Sequence, residues 1–171
     1  MTMNAMKCGP RLVSLGFALA AFVLFPASTM AAACLSVNVS TSSVVFGPYN
    51  PLGSSPTDST GEITVSCANS LETVPPITSI TIATGRSGSF TPRNMLNATD
   101  GVTTLNYNFY TGAGRLTIWG DGTSGTSFQA LPAGSATHTE TFTVYGRVPG
   151  SQSQVTAGSY SDPSLSVVIT Y

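Results

Sequence analysis

Side chains able to bind a metal or transfer a proton are few and scattered along this 171-residue chain. His138 is the only histidine, which excludes a two-histidine metal site and a proton relay between histidines. A Ser-His-Asp hydrolase could use it, but no Gly-x-Ser-x-Gly nucleophile elbow occurs. His138 lies in the polar run 136–140, which predicts a solvated residue in a loop that leads into a strand. We expect no catalytic site, no cofactor and no metal site, and hence no enzyme.

The run GDGTSG at 120–125 has the letters of a dinucleotide-binding loop. Such a loop must open a helix, because the helix N-terminus holds the pyrophosphate. Residues 127–129 continue without a helical period, so the run predicts a β-turn after Trp119. Asp121 and Asp162 are isolated acids, and we expect each to bond turn amides instead of forming a catalytic carboxylate pair.

The first 33 residues have the pattern of a secretory signal peptide. Basic residues without acids precede the apolar run LVSLGFALAAFVLF from Leu12 to Phe25, and the small residues Ala31-Ala32-Ala33 follow. A basic start, a short apolar core and an Ala-x-Ala exit are typical of such a peptide. The run is shorter than the roughly 18 apolar residues that a spanning helix needs. We predict that residues 1–33 are removed and that residues 34–171 are exported without a transmembrane segment.

Cys34 and Cys67 remain after that cleavage, whereas Cys8 leaves with the signal peptide. An even pair of cysteines in an oxidising compartment predicts a disulfide. Closing the loop between them would contribute roughly 3–4 kcal/mol. The alternative is a lipoprotein, because Cys34 would be the first mature residue, although Ala31 stands where a lipobox prefers leucine. In that case Cys34 is lipidated and Cys67 stays unpaired.

The composition excludes several classes of protein. Lys and Arg number only 6, too few for the basic stripe of a nucleic-acid-binding protein. A net charge of −1 with 42% hydrophobic residues excludes a disordered acidic chain. A chain that is only 8% charged, with 17 Gly and 11 Pro, has the composition of a compact β-protein.

Alternation of apolar and polar residues with a period of two recurs between turn-forming residues, and no sustained helical period follows the signal peptide. Val44–Phe46 is a further apolar segment, and 48–61 is the longest segment near the N-terminal end that is expected to lack a strand. The pattern predicts an all-β fold in one domain, an immunoglobulin-like antiparallel β-sandwich. The alternating runs are 35–39, 63–67, 77–84, 105–109, 116–119, 139–148 and 165–171.

Eight features in order resemble the spore coat protein U domain, which occurs in bacterial pilins assembled by the archaic (Csu-type) chaperone–usher pathway. Together they extend over nearly all of residues 34–171. The features are Cys34, FGPYNPL (46–52), GEITVSC (61–67), RNM (93–95), LNYNFYT (105–111), IWGDGT (118–123), VYGRVP (144–149) and AGSYSD (157–162).

The resemblance implies an immunoglobulin-like sandwich that lacks one strand, with a disulfide near its start. In such pilins a periplasmic chaperone lends a strand, which the N-terminal extension of the next subunit then replaces. The last alternating run ends on an aromatic residue and leaves a sheet edge that needs a cover. We predict that the residues lining the acceptor groove are Val37, Val39, Leu165, Val167, Ile169 and Tyr171.

The resemblance also implies partners and a location. The partners are a periplasmic chaperone, an outer-membrane usher and other pilin subunits, and the chain passes through the periplasm to a fimbrium on the cell surface, with roles in cell adhesion and biofilm. In one respect the chain departs from a main-shaft pilin, whose donor strand precedes the first cysteine. At most Ala32 and Ala33 precede Cys34 here, too few to span a groove at about 3.3 Å per residue. We therefore predict a minor or terminal subunit.

An alternative function is a surface adhesin or carbohydrate-binding module that does not polymerise. Such a module would present exposed aromatic rings to its ligand. The candidate aromatic residues are Tyr107, Tyr110, Trp119 and Tyr145.

Overall fold

Runs rich in β-branched and aromatic residues form nine strands in the computed structural model, which describes residues 34–69, 71–133 and 137–171. The predicted signal peptide lies outside these residues. No helix in the described part of the chain is long and apolar enough to span a membrane. The strands are β1 (Val37–Thr41), β2 (Thr57–Cys67), β3 (Ile77–Ile82), β4 (Arg93–Asn97), β5 (Thr104–Tyr110), β6 (Gln129–Leu131), β7 (Thr139–Val148), β8 (Tyr160–Ser161) and β9 (Val167–Thr170).

The strands form two antiparallel sheets of unequal size. Six strands form one sheet in the order β1-β2-β7-β5-β4-β8, and three form the other in the order β6-β3-β9. The longest ladder joins β2 to β7, from Thr57 opposite Val148 to Ser66 opposite Thr139. The all-β, antiparallel sandwich predicted from the sequence is confirmed.

One continuous apolar core holds the sheets together. Alternate residues of each strand point inward, as the period-two pattern requires. Full burial of each large apolar side chain contributes roughly 1.5–3 kcal/mol. The core residues contributed by the two sheets and the connections include Ile63, Val65, Ile77, Ile80, Ile82, Leu105, Tyr107, Phe109, Trp119, Val144 and Val148.

The N-terminal part of β2 differs from the prediction. Residues 57–60 were expected to lie in a segment without a strand, and this expectation is wrong, because β2 begins at Thr57. Its first residues pair with 145–148 of β7. They carry mostly polar side chains, and a ladder held by backbone hydrogen bonds at a solvated face does not require apolar alternation.

The GDGTSG run forms a turn, as predicted. Gly122 and Gly125 have φ values of 90° and 76°, in the left-handed region that favours glycine. Asp121 Oδ1 accepts hydrogen bonds from the backbone N–H and the hydroxyl of Thr123 at 2.9 and 2.6 Å. The hydroxyl hydrogen bond, followed by the backbone one, lowers the pKa of the Asp121 carboxyl group. Asp121 therefore stabilises a turn, as its isolation in the sequence suggested.

Candidate functional site

The C-terminal strand β9 has an open edge. It pairs with β3 on one side, and among the described residues no strand pairs with its other side. The carbonyl groups of Ser166, Val168 and Thr170 accept hydrogen bonds from β3 and the residue after it. Successive residues of an antiparallel strand direct their backbone groups to opposite neighbours. Val167 and Ile169 therefore present their N–H and C=O groups to the open side.

The side chains of this edge divide into two groups. Leu165, Val167 and Ile169 point inward and are half-buried against the core. Val168 is 55% exposed on the opposite face, and Tyr171, just beyond β9, is 67% exposed. The residues predicted for the C-terminal half of the groove thus lie together, and an edge of this kind, with free backbone groups and apolar side chains, can pair with another chain.

Val37 and Val39 lie at a different edge. They belong to β1, the outermost strand of the six-stranded sheet, where they pair with Cys67 and Val65. Paired residues share a face, so both valines point towards the interior of the sandwich. Val39 nevertheless stays 49% exposed. The predicted groove residues therefore occupy the outer strands of two different sheets, and the structure does not pair β1 with β9.

The segment 42–49 after β1 crosses the inner face of the six-stranded sheet. Glycines make room for it: a Cβ atom on Gly61 would lie 2.8 Å from Val44, and one on Gly146 would lie 2.8 Å from Phe46. The Phe46 ring then reaches β5, 6.1 Å from the ring of Tyr107. Val44–Phe46 is apolar because it packs on a sheet, although it forms no strand itself.

A cavity of about 720 Å³ separates this crossing segment from the residues before β8. Its walls combine apolar side chains with polar groups, and the sequence did not predict it. The only local signal is the combination of an apolar run with the turn residues of FGPYNPL. The lining residues are 44–49, Pro51, Met95, Leu105, Val148 and 155–160.

Arg93 ties the two sheets together behind β9. It is 0% exposed, and its guanidinium donates to the backbone oxygens of Ile82, Ala83 and Trp119 at 2.8 Å each. A fourth hydrogen bond of 2.6 Å reaches Asn108 Oδ1. Burial lowers the pKa of Arg93 to about 10, which leaves the side chain charged at neutral pH. Arg93, the first residue of β4, thus forms hydrogen bonds with the end of β3, the strand that pairs with β9.

Asp162 fixes the turn that leads into β9. Its carboxylate accepts hydrogen bonds from the Tyr107 hydroxyl at 2.8 Å, from Arg86 N–H at 3.1 and 3.2 Å, and from Ser164 N–H at 3.2 Å. Burial raises the pKa of the Tyr107 hydroxyl well above its usual value, and the bond to Asp162 adds to this effect. The predicted role of Asp162 in bonding turn amides is confirmed, with a buried tyrosine as an additional partner.

The aromatic residues do not form the predicted ligand platform. Trp119 is 0% exposed and its Nε1 donates to Ile80 O at 2.8 Å, while Tyr107 is 2% exposed. Neither ring can stack on a sugar, so the carbohydrate-binding alternative is wrong for these two residues. Tyr110 and Tyr145 are half-buried, and Arg115 lies over the Tyr145 ring at 5.9 Å.

The predicted disulfide is not formed in the structure, because Cys34 and Cys67 are both free thiols. Their sulfur atoms and a carboxylate oxygen of Glu72 lie within 4.8 Å of one another, whereas a disulfide bond is about 2.05 Å long. The Cys34 thiol donates to Ser36 O at 3.0 Å. Burial, followed by the interaction with Cys34, raises the pKa of the Cys67 thiol to about 11. The pairing of the two cysteines stays a prediction.

His138 is not the solvated residue that the sequence predicted. It is half-buried, and its Nδ1 atom is buried without a hydrogen-bond partner in the described part of the chain. Its backbone oxygen accepts a hydrogen bond from Cys67 N–H at 3.1 Å, so it lies beside the cysteines. His138 directly precedes β7, as expected, but it lies beside the end of β2 and is therefore shielded from solvent.

Comparison with protein families identifies this open-edged sandwich. The family model of the Spore Coat Protein U domain matches residues 20–168. The chain belongs to this family. The resemblance found in the sequence is therefore confirmed, and the match begins within the segment predicted to be the signal peptide. No curated protein matches the chain. Membership of the Spore Coat Protein U family implies a structural surface subunit of the pilus or coat type.

Proposed function

We propose that this Spore Coat Protein U domain is a surface subunit of a pilus or coat that chaperone–usher machinery assembles by adding a strand to β9. The observation that carries the proposal is the open side of β9, where Val167 and Ile169 present unpaired backbone groups. Backbone hydrogen bonds would provide affinity, and inward side chains of the incoming strand would provide specificity.

The unequal sheets support the same assignment. Three strands lie in the smaller sheet against six in the larger one. A strand added beside β9 would extend the smaller sheet and cover the half-buried side chains of Leu165, Val167 and Ile169. The incoming strand would come first from a periplasmic chaperone and then from another subunit at an outer-membrane usher, before display at the cell surface. This surface would serve adhesion and biofilm formation.

We further propose a minor or terminal position in the fibre. Cleavage after Ala33 would leave Cys34 as the first residue, without a donor strand to give to a neighbour. Mass spectrometry of the non-reduced, exported chain measures this directly. A mature terminus at Cys34 without a lipid mass agrees with the proposal, whereas a terminus many residues earlier contradicts it.

Strand addition is tested with a synthetic peptide in which valine alternates with threonine, and with a scrambled peptide of the same composition. The alternating peptide should raise the unfolding free energy by RT ln(1 + [L]/Kd), about 2.7 kcal/mol at a hundredfold excess over Kd. Chemical denaturation of the exported chain with each peptide measures this gain. The scrambled peptide should give none, because its apolar side chains cannot all face the core.

Two variants of one residue locate the binding edge. Ile169→Pro removes an N–H group that faces the open side, while the neighbouring groups bonded to β3 are kept. Ile169→Val keeps the N–H group and serves as the matched control. We expect the Kd of the alternating peptide to rise at least tenfold in Ile169→Pro and to stay unchanged in Ile169→Val. A folded chain that gains no stability from the alternating peptide, or an equal gain in both variants, refutes the proposal.

A further inference from the structure

We propose that Glu72 is the binding site for the α-ammonium group that export creates at Cys34. This inference rests on the cleavage after Ala33 proposed above and is independent of strand addition to β9. When the leader is removed, the backbone nitrogen of Cys34 changes from a neutral amide into a positively charged terminus. The Glu72 carboxylate then forms an ion pair that the precursor lacks.

Two hydrogen bonds bring the start of the described chain to Glu72. Cys34 N–H donates to Thr73 O at 3.2 Å, and Leu35 N–H donates to Glu72 Oε2 at 3.1 Å. The nitrogen atoms of consecutive residues are at most about 3.7 Å apart, because standard bond lengths limit their separation. The Cys34 sulfur atom also lies within 4.8 Å of a Glu72 carboxylate oxygen. Small rotations of the terminal residue and the Glu72 side chain therefore bring the two charges into contact.

No cationic side chain in the described part of the chain forms an ion pair with Glu72, since both ion pairs there involve Asp58. The Glu72 residue is only 9% exposed, and a buried charge is normally paired. The sequence after residue 33 contains no lysine. Its four arginines bind other groups and are Arg86, Arg93, Arg115 and Arg147. The new terminus supplies the positive charge that Glu72 lacks.

The other titratable groups on the neighbouring elements leave this pairing open. Glu140 accepts a hydrogen bond from the Thr137 hydroxyl, whereas Glu72 accepts its bond from the start of the chain. A disulfide uses only the sulfur atoms, so it leaves the terminal nitrogen free to bind Glu72. These other groups are the Cys34 and Cys67 thiols, His138 and Glu140.

The ion pair couples processing to folding. In the precursor the nitrogen of Cys34 is a neutral amide, and the buried carboxylate has no opposite charge beside it. Breaking a buried ion pair is destabilising because the remaining charge stays buried without compensation. This end of the sandwich therefore reaches its full stability only after the leader has been removed.

The test uses the terminal amine, which is the only amine of the mature chain because residues 34–171 contain no lysine. Acetylation removes its positive charge, whereas reductive dimethylation with ¹³C-formaldehyde keeps it. Both reactions are carried out on the exported, non-reduced full chain, and mass spectrometry verifies the terminus at Cys34 and each modification. In urea unfolding at pH 7, the midpoint of the acetylated chain should lie at least about 0.5 M below that of the dimethylated chain.

A variant of the carboxylate assigns the effect. Glu72→Gln keeps an oxygen that can accept from Leu35 N–H, and in this variant the two modified chains should have equal midpoints. Glu62→Gln changes an exposed glutamate on β2 and should behave like the wild type. The NMR signal of the ¹³C-methyl groups reports the pKa of the terminus, which should be higher in the wild type than in Glu72→Gln, with an acid dissociation constant at least threefold smaller.

Three results would overturn the proposal: a mature terminus at another residue, equal midpoints of the acetylated and dimethylated wild type, or a difference that persists in Glu72→Gln. The alternating peptide should bind to β9 with the same Kd in all these forms. Failure of the ion pair and failure of strand addition are therefore distinguishable.

Discussion

Replacement of the buried guanidinium by an apolar side chain of similar length, Arg93→Met, tests how the two sheets are joined. The methionine can occupy the space between Phe90 and Phe109, over which the guanidinium carbon lies at 5.1 and 5.8 Å. The cavity term is therefore small, and the main effect is the loss of four hydrogen bonds.

The magnitude follows from the acceptors that lose their donor. Asn108 Oδ1 keeps a second donor, the Phe109 N–H at 3.1 Å, so three backbone oxygens lose their partner. A buried acceptor left without a partner costs about 1–3 kcal/mol, so three of them at the low end cost about 3 kcal/mol. This is a large part of the roughly 5–15 kcal/mol that stabilises a domain of ordinary size. With a denaturant slope of about 2 kcal/mol per M, the urea midpoint should fall by about 1.5 M.

Equilibrium urea unfolding of the exported chain, followed by tryptophan fluorescence, measures this shift. The control is Arg86→Met, because Arg86 is exposed and its side chain makes one hydrogen bond of 3.3 Å to Asn94. It should change stability by less than about 0.5 kcal/mol. A loss below about 1 kcal/mol in Arg93→Met would refute the idea that these bonds join the sheets.

Two further substitutions test the crossing segment and the surface charges. Gly146→Ala places a Cβ atom 2.8 Å from Phe46 and should lower the free energy of unfolding in urea by about 1–3 kcal/mol. The control Gly112→Ala, where a Cβ atom would have no neighbour within 4 Å, should be neutral. Equal effects of the two substitutions would contradict the packing of the crossing segment on Gly146. The hydrogen bond from Arg147 lowers the pKa of the Asp58 carboxyl group and outweighs desolvation, which acts in the opposite direction. The stabilisation from this ion pair is therefore present above pH about 4 and disappears as the pH falls through the lowered pKa. Asp58→Asn should therefore lose up to about 1 kcal/mol at pH 7 and nothing in strong acid, whereas a loss independent of pH would contradict this origin.

Alternation predicted the strands whose inner face is apolar and failed where burial depends on a distant partner. In β7, the buried Val144 and Val148 alternate with half-buried residues, and the ladder forms as expected. The strand β4 was not predicted, because it begins with Arg93. A charged residue is expected at the protein surface unless the groups that accept its hydrogen bonds are known. Those acceptors lie at the end of β3 and just after it, on β5, and on Trp119, and only the folded chain brings them together.

The candidate sites show the same limit. Val167 and Ile169 were predicted because the open edge coincides with the last alternating run. Cys34 and Cys67 were expected to lie close together, whereas Glu72 beside them was not, because no local pattern places the loop after β2 next to the start of β1. The position of Glu72 depends on long-range register, which no local pattern encodes.

The ladder between β2 and β7 also sets an order in time. A ribosome makes the chain from its N-terminus, so residues 57–67 exist long before residues 139–148, with which they pair. Until then Ile63 and Val65 lack the strand that shares their side of the core. Pairings between strands so far apart in the sequence form slowly, and the intermediates expose apolar surface that is prone to aggregation. A chaperone that binds unfolded chains would therefore find the most exposed apolar surface in this interval, before β9 has been made.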